Sequence, residues 1–219
     1  MDIGGAYTAD RAAALSGVPK STVHYWARNG HLIPSVAQKP RLWSFTDLLA
    51  LRTIYWLRQP KQAFDIGVPA TSMPRVKRAL AQLRDLRLDL FEEGHPVVGV
   101  TLTGEVVINT KAMPLQMTDG QYLPPDVVDI LGPFEGLEGA HGPDLLRPRP
   151  TLRIIPRKIS GAPHIEGTRL PTQSISVLAD RGFTLEELAG IYPFASLEAL
   201  KDSIELEKQL HLNVSLRAA

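Results

Sequence analysis

The sequence contains no cysteine, which excludes disulfide scaffolds and thiolate metal sites. No apolar run approaches the roughly 20 residues that a helix needs to span a bilayer, so we expect no membrane-spanning segment. The first ten residues lack the basic start and apolar core of a signal peptide, and we therefore expect a cytoplasmic protein. The six histidines are scattered, and no pair of them lies on one helix face beside carboxylates. The sequence accordingly predicts no metal site and no cofactor.

Motifs of common enzymes are missing as well. There is no glycine-rich phosphate loop, no serine in a nucleophile elbow and no cluster of carboxylates. We therefore expect the chain not to be an enzyme.

Net charge is almost absent from the chain as a whole, at +1, but it is unevenly distributed. Residues 1–90 hold 13 Lys and Arg against 6 Asp and Glu, whereas residues 91–150 hold 3 against 9 and residues 151–219 hold 8 against 8. A basic first part beside an acidic middle indicates that only the first part meets polyanions.

The most informative segment is residues 7–30, YTADRAAALSGVPKSTVHYWARNG. A short helix is predicted from Ala9 to Leu15, followed by a tight corner around Gly17. A second helix then runs to Arg28. Two helices joined by a short turn that contains glycine outline a helix-turn-helix, whose second helix enters the DNA major groove.

Polar-tipped side chains crowd the second helix, and residues 31–45 suit a two-stranded wing. A helix N-terminus with a lysine and two hydroxyls favours contacts to phosphates and base edges. Trp26 is expected in the core, while Tyr25 suits either the core or the surface. For Lys20 and Arg28 the alternative is an ordinary solvated helix face. The predicted DNA-binding residues are Lys20, Ser21, Thr22, His24, Tyr25, Arg28 and Arg41.

These residues resemble the winged-helix DNA-binding domain of the MerR family of bacterial regulators. His24 stands where that family usually has arginine, just before the tyrosine. The resemblance implies operator double-stranded DNA as a partner, read by a homodimer at two half-sites about one helical turn apart. The resemblance is carried by Gly17-Val18, Tyr25-Trp26, Gly30, Arg41-Leu42-Trp43 and Asp47-Leu48.

The middle of the chain is predicted from capping, apolar spacing and turn residues. Thr46 is expected to cap a helix that runs to Arg58, and residues 61–73 are expected to form a loop. A helix from Met73 to Leu90 and a hairpin at 97–110 follow. The remaining expectations are a short helical turn at 126–131 and a Gly/Pro-rich linker of little structure at 132–150.

The last part predicts a compact three-helix unit. One helix spans 173–180, Thr184 and Glu187 form a capping box for the second, and Ser196 caps the third. Residues 156–212 resemble a small bacterial domain family of formally unknown function that recurs in antitoxins. The pattern is carried by Gly161, Pro163, Ile165, Gly167-Thr168-Arg169-Leu170-Pro171, Gly182, Thr184, Glu186-Glu187 and Tyr192-Pro193.

Together the two resemblances make the chain similar to a VapB-type antitoxin whose partner is a PIN-domain ribonuclease. An arginine fork fits the carboxylates that such a nuclease gathers. The alternatives are exposed linker charges at 147 and 149 and, for Arg169, a structural role at the Gly-Thr-Arg corner. The predicted toxin-binding residues are Arg147, Arg149, Arg157, Lys158 and Arg169.

The sequence thus predicts an α+β, mainly helical protein. Its expected parts are a winged helix-turn-helix at 1–60, a connecting or dimerisation segment of helix and β-hairpin at 61–131, the linker at 132–150 and a small three-helix domain at 151–219. The predicted function is a type II antitoxin that also represses its own operon. The alternative is a ligand-responsive, MerR-like one-component transcription regulator, which a deep apolar pocket in residues 61–219 would favour.

Overall fold

The computed structural model describes residues 4–59, 61–63, 66–68, 70–85, 97–101, 105–109, 127–135 and 140–215. Within these ranges the chain is mainly helical with small antiparallel hairpins, which confirms the predicted fold class. No helix in the described ranges is long and apolar enough to cross a membrane. The helices are α1 (Ala9–Ser16), α2 (Lys20–Arg28), α3 (Phe45–Arg58), α4 (Met73–Asp85), α5 (Thr172–Asp180), α6 (Leu185–Ile191) and α7 (Leu197–Ser215).

The strands are short and pair with near neighbours, apart from one three-stranded sheet in the order β6-β5-β7. The strands are β1 (Ala37–Gln38), β2 (Arg41–Leu42), β3 (Lys61–Ala63), β4 (Ile66–Val68), β5 (Val97–Thr101), β6 (Val106–Asn109), β7 (Val127–Asp129), β8 (Phe134–Glu135), β9 (His141–Gly142), β10 (Leu152–Arg153) and β11 (His164–Ile165).

The start of α3 differs from the prediction. The N-cap is Ser44 rather than Thr46, and the helix begins at Phe45. The Ser44 hydroxyl accepts a hydrogen bond from the Asp47 amide at 3.1 Å, and the Asp47 carboxylate accepts one from the Ser44 amide at 2.9 Å. This reciprocal capping box satisfies two backbone donors, which a cap at Thr46 could not do with the same aspartate.

Two predictions for the middle of the chain are wrong. Strands β3 and β4 form an antiparallel hairpin where a loop was expected at 61–73. Strand β7 pairs antiparallel with β5, from Gly99 opposite Asp129 to Thr101 opposite Val127, where a helical turn was expected. The valines at 127 and 128 favour a strand once an edge is available. The hairpin at 97–110 is confirmed by the pairing of β5 with β6.

Helix α4 agrees with the prediction from Met73 to Asp85. The expected continuation at 86–90 lies outside the described residues.

The segment at 132–150 is not the open linker that its glycines and prolines predicted. Strands β8 and β9 pair antiparallel, Leu145 is fully buried, and Phe134 and Leu146 are nearly so. These apolar side chains belong to the same buried cluster as those of α1 and α7. The prediction failed because the pairing and burial depend on contacts with distant parts of the chain.

The C-terminal helices begin and end close to their predicted positions. Thr184 and Glu187 form the predicted capping box of α6, and the Ser196 hydroxyl accepts a hydrogen bond from the Ala199 amide in the first turn of α7 at 3.1 Å. Helix α7 packs against both α5 and α1. Because α1 belongs to the helix-turn-helix region, one apolar core joins the two ends of the chain.

Candidate nucleic-acid interface

The turn between α1 and α2 is fixed by a glycine in the left-handed conformation. Gly17 has φ 72° and caps α1, and its amide donates to the carbonyl of Ala13 at 2.9 Å. A Cβ at this position would lie 2.8 Å from the amide nitrogen of Gly142. Both the conformation and the space therefore require glycine, and the turn sets the direction in which α2 leaves α1.

Helix α2 divides cleanly into a buried and an exposed side. Val23 is fully buried and Trp26 is 8% exposed, so the tryptophan lies in the core as predicted. Ser21, Tyr25 and Arg28 follow at i, i+4 and i+7, which places them on one helical face, and all three are exposed. Tyr25 is 51% exposed. Of the two positions that the sequence left open for this tyrosine, the structure favours the surface.

The charges around His24 show which predicted residues lie close together. Burial lowers the pKa of the His24 imidazole, and the positive charges of Lys20, Arg41 and Arg28 lower it further, against an opposing effect of Asp10. The side chain is therefore neutral at pH 7. Lys20 and Arg28 lie on α2, whereas Arg41 lies on the wing. The charge of Arg41 acts on the imidazole only if the wing lies close to α2. The structure thus brings four predicted residues into one basic group, namely Lys20, His24, Arg28 and Arg41. We define the reading face as these four residues together with Ser21, Thr22 and Tyr25.

Lys20 has an ion-pair partner on the preceding helix. Its ammonium lies 2.8 Å from a carboxylate oxygen of Asp10, and both side chains are about half exposed. Exposed pairs of this kind contribute at most about 1 kcal/mol. A phosphate approaching the start of α2 can therefore compete for the lysine.

The wing consists of β1 and β2, in which Gln38 pairs with Arg41. An isolated bridge between Tyr7 and Trp43 anchors the strand end to the segment before α1. Lys39 lies exposed in the two-residue turn between the strands. Lys39 was not among the predicted DNA-binding residues. The signal that could have identified it was its position between the two short strands of the predicted wing.

A buried arginine supports this domain from behind. Arg52 on α3 is fully buried, and it lies 5.3 Å from the ring centroid of Phe134. All its hydrogen bonds go to backbone carbonyls, two of them at the C-terminus of α1, where a cation is favourable. The acceptors are Leu15 at 2.8 Å, Ser16 at 3.2 Å, Ile130 at 3.1 Å, Leu131 at 3.4 Å, Gly132 at 2.6 Å and Pro143 at 2.6 Å.

The protonation of Arg52 follows from the same surroundings. Burial lowers the pKa of the guanidinium to about 9, and the charges of Asp144 and Asp129 oppose that shift. The group therefore remains protonated at neutral pH and keeps its donors. Arg52 was not among the predicted functional residues, and the only signal was its place as the one charged residue in the mainly apolar stretch 48–57.

Helix α1 is also bonded to the C-terminal domain. The Arg11 guanidinium donates to both carboxylate oxygens of Glu207 on α7, at 2.6 and 2.7 Å. The same carboxylate accepts a short hydrogen bond from the Thr172 hydroxyl at the start of α5. Further along α7, the Asn213 amide donates to the carbonyl of Ala14 at 2.9 Å.

The five predicted toxin-binding residues differ in their exposure and in their hydrogen bonds. Arg149 donates to Gln209 at 2.6 Å and to Pro148 at 2.8 Å, so its guanidinium takes part in packing against α7. Arg147, Arg157 and Arg169 are exposed, and Lys158 is half-buried. The structure shows no shared cluster of these five side chains within its described ranges.

The structural role considered for Arg169 is filled by its neighbour. The Thr168 hydroxyl donates to the carbonyl of Ile165 at 2.9 Å and accepts from the amide of Leu170 at 3.1 Å. The Arg169 guanidinium is exposed and has no hydrogen-bond partner among the described residues. Its side chain therefore remains available to a partner.

An open groove lies beside these helices. It has a volume of about 990 Å³ and is lined mainly by α1, α5 and α7, and its lining includes Asp10 of the Lys20 ion pair. Val177 and Leu212 line it and are exposed. The groove is a site between the two ends of the chain rather than a pocket within residues 61–219 alone.

Comparison with known families defines the class of this domain. Residues 7–62 match the model of the MerR HTH family regulatory proteins, and residues 153–205 match a family described as protein of unknown function (DUF433). The chain therefore carries an N-terminal MerR-type helix-turn-helix domain and a C-terminal domain of that second family.

Particular relatives come from mycobacteria. The chain is 30% identical over 112 residues to proteins of Mycobacterium bovis and Mycobacterium tuberculosis, each named an uncharacterized HTH-type transcriptional regulator. The match covers 46% of this chain and 46% of each relative, so the chain spans about half the length of the curated relatives it matches. No solved structure matches significantly. These matches, to regulators, agree with the expectation that the chain is not an enzyme.

Proposed function

We propose that the protein is a DNA-binding transcription regulator that reads an operator with α2 in the major groove and the β1–β2 wing beside it. The observation that carries this proposal is the reading face, in which Ser21, Tyr25 and Arg28 are exposed on one side of α2 and the charges of Lys20, Arg28 and Arg41 act on His24. Its exposed hydroxyls and cations suit base edges and phosphates. The match of residues 7–62 to MerR-type regulators supports the same function.

The support behind α1 gives this proposal a physical basis. A reading helix must hold its side chains in fixed directions if it is to distinguish base pairs. The Gly17 turn fixes the direction of α2, and two of the Arg52 hydrogen bonds, to Leu15 and Ser16, hold the end of α1. We further propose a cytoplasmic homodimer that reads two half-sites spaced by about one helical turn.

At a finer level, we propose that the regulator is an autorepressing antitoxin of a type II system. Residues 156–212 resemble a domain that recurs in such antitoxins, and together with the MerR-like first part this resemblance implies a VapB-type antitoxin that pairs with a PIN-domain ribonuclease. The exposure of Arg157 and Arg169 supports this proposal, because a free guanidinium can pair with the carboxylates of a nuclease site.

A ligand-responsive regulator is the second candidate. The groove between α1, α5 and α7 favours it, since effector sites commonly lie between domains. Asp10 both lines the groove and forms the ion pair with Lys20. A small molecule bound there would act directly on the first residue of the reading helix.

Operator binding of Lys20→Ala and Arg28→Ala tests the main proposal. Each variant should weaken binding to the promoter fragment upstream of the gene and should lower the salt dependence by about one unit per lost phosphate contact. Lys208→Ala is the matched control, because Lys208 is an exposed lysine on α7. Unchanged binding at several salt concentrations would remove these residues from the interface.

The antitoxin proposal is tested with the full chain and the product of the adjacent reading frame. Arg157→Ala with Arg169→Ala should lower the neutralisation of a nuclease toxin in cells, whereas Lys20→Ala should preserve it. If the adjacent product is not a nuclease, or does not co-purify with the wild-type chain, the antitoxin proposal fails and the DNA-binding proposal is unaffected.

A further inference from the structure

Three large apolar side chains are exposed at the corner between α6 and α7. Ile191 is 46%, Phe194 64% and Leu197 54% exposed. They lie within seven residues at the end of one helix and the start of the next. We call these three residues the corner patch. Single exposed apolar residues are ordinary, but a contiguous group marks an interaction site.

The corner patch is held in one shape. The amide of Ala195 donates to the carbonyl of Tyr192 at 2.9 Å, and Ser196 caps the following helix through the amide of Ala199. The rings of Phe194 and Tyr192 meet edge to face, with centroids 6.2 Å apart. A preformed apolar surface loses little conformational freedom when a partner binds.

The surroundings of the corner patch are strongly acidic. Residues 184–205 contain five carboxylates and one lysine, a net charge of −4. Glu186, Glu187 and Glu198 are exposed, and the one lysine, Lys201, is 3.8 Å from the carboxylate of Glu205. The corner therefore has exposed apolar side chains that are flanked in the chain by exposed carboxylates, and we call these carboxylates the acidic rim.

We infer that the corner patch docks a partner protein through a Lys/Arg-rich amphipathic helix, whose apolar side covers Phe194 and whose basic side meets the acidic rim. Complementary charge selects this occupant. Two copies of the patch placed face to face would bring like charges together, which disfavours a homodimer here. The inference rests on the proposed function in one respect, because an antitoxin requires a protein partner for its C-terminal half.

The first test uses the full chain and a fluorescent amphipathic peptide of Leu and Lys, about 15 residues long so that it can form a helix. Phe194→Ala with Leu197→Ala should weaken its binding by about tenfold or more, as expected for a central apolar contact. Glu186→Gln with Glu198→Gln should also weaken it. Ile33→Ala is the matched control, because Ile33 is 48% exposed, much like Ile191, but lies outside the patch.

Thermal unfolding and operator binding of each variant confirm that the fold and the reading face are intact. Equal peptide binding by the wild type and the Phe194 variant overturns the inference. Equal binding of a Leu and Glu peptide overturns the acidic rim as a selector. Sedimentation that shows a dimer lost on substitution of Phe194 also overturns it, because the patch is then occupied by a second copy.

The nuclease arm separates this inference from the antitoxin proposal. If the wild-type chain binds the adjacent nuclease and the Phe194 and Leu197 variant does not, both are supported. If the variant binds the nuclease as well as the wild type, the corner patch is wrong and the antitoxin proposal stands. If no nuclease binds the wild type, the antitoxin proposal fails, and the peptide assay alone decides the patch.

Discussion

The two sides of the helix pair α1–α2 use polar residues in opposite ways. On the reading face, Tyr25 and Arg28 are exposed and Lys20 has only a half-exposed ion pair. On the other side, the Arg52 guanidinium and the Glu207 carboxylate are hydrogen-bonded to buried or half-buried groups. We call that second side the docking side. The polar groups that define the position of α1 are thus separate from those available to DNA.

This difference shows how a small domain can be both rigid and reactive. A buried polar group is costly unless it is fully bonded, so the docking side admits few substitutions. Exposed side chains keep their hydrogen-bonding capacity for a ligand because water is their alternative partner. The following predictions change one side at a time, from the largest expected effect to the smallest.

Arg52→Met should have the largest effect on stability. It leaves up to six carbonyls without their donor, and we expect a loss of about 3–5 kcal/mol in the free energy of unfolding. Arg52→Lys should recover little, because an ammonium lacks the planar fork. Urea unfolding measures the change, with Arg58→Met as the control, since Arg58 is exposed and donates to one carbonyl, that of Thr71. A midpoint for Arg52→Met equal to that of the control would contradict the role of Arg52.

The pair of Arg11 and Glu207 should couple the two domains. A double-mutant cycle with Arg11→Met and Glu207→Gln should give an interaction free energy of about 1–3 kcal/mol, because the contact is bidentate and partly buried. The exposed pair of Lys20 and Asp10 should give less than about 1 kcal/mol in the same experiment. Similar values for the two cycles would erase the difference between the sides.

His164 should make stability depend on pH. The side chain is fully buried, its Nδ1 lies 2.9 Å from the carbonyl of Ala162, and among the described atoms its Nε2 has no hydrogen-bond partner. Burial lowers its pKa, Lys158 and Arg153 add to that shift, and the Ala162 carbonyl opposes it.

The sign follows from proton binding in the two states. The unfolded chain takes up a proton near pH 6.5, whereas the folded chain resists it. The contribution of the neutral His164 to the free energy of unfolding is therefore complete above about pH 6.5, and it is lost as the pH falls below that value. His164→Asn should flatten this part of the stability profile, measured by urea unfolding between pH 7.5 and about 5.5, one unit below the unfolded pKa. An unchanged slope would exclude His164 as its source.

His24 should give the smallest effect, and it concerns DNA rather than stability. Its pKa is lowered in the free protein by burial and by the nearby cations, and a phosphate beside it raises the pKa again. Binding then takes up a proton, so affinity should rise modestly as the pH falls from 8 to about 6, below the ordinary histidine pKa. Fluorescence anisotropy at constant ionic strength measures this. His24→Gln should remove that part of the dependence, and an identical dependence in the variant would assign it elsewhere.

Local sequence signals were sufficient for the elements whose ends are determined locally. The Thr8 cap and Gly17 turn define α1, and the box of Thr184 and Glu187 defines α6. Each of these devices acts within four residues, so a single sequence reveals it. The cap of α3 was misassigned because two hydroxyl residues lie near one aspartate, and only the geometry selects Ser44.

The segment at 127–146 could not be predicted because its order comes from outside. Its two-residue strands are too short to be stable alone, and four of its carbonyls accept hydrogen bonds from Arg52 on another helix. Glycine and proline in this segment indicated a linker by composition, whereas distant contacts determine its structure.

The candidate site was predictable in chemistry but not in surroundings. The side chains from Lys20 to Arg28 could be chosen because a helix start with hydroxyls and cations suits DNA, and their contact with DNA stays a prediction. The group around His24 requires the wing to approach α2, and the corner patch requires α6 and α7 to leave Phe194 uncovered. Neither arrangement can be predicted from residue spacing, because both depend on how separate elements pack.

The close approach of Gly17 and Gly142 has a consequence for how this protein can evolve. A Cβ at Gly142 would lie 2.9 Å from the carbonyl oxygen of Ser16 and 2.7 Å from the Arg52 guanidinium. A helix-turn-helix domain cut at residue 60 and joined to another gene would therefore lose the segment that packs against the end of α1. A descendant that keeps the first domain must also keep the segment around Gly142. We therefore expect Gly17 and Gly142 to be either both present or both replaced in related sequences.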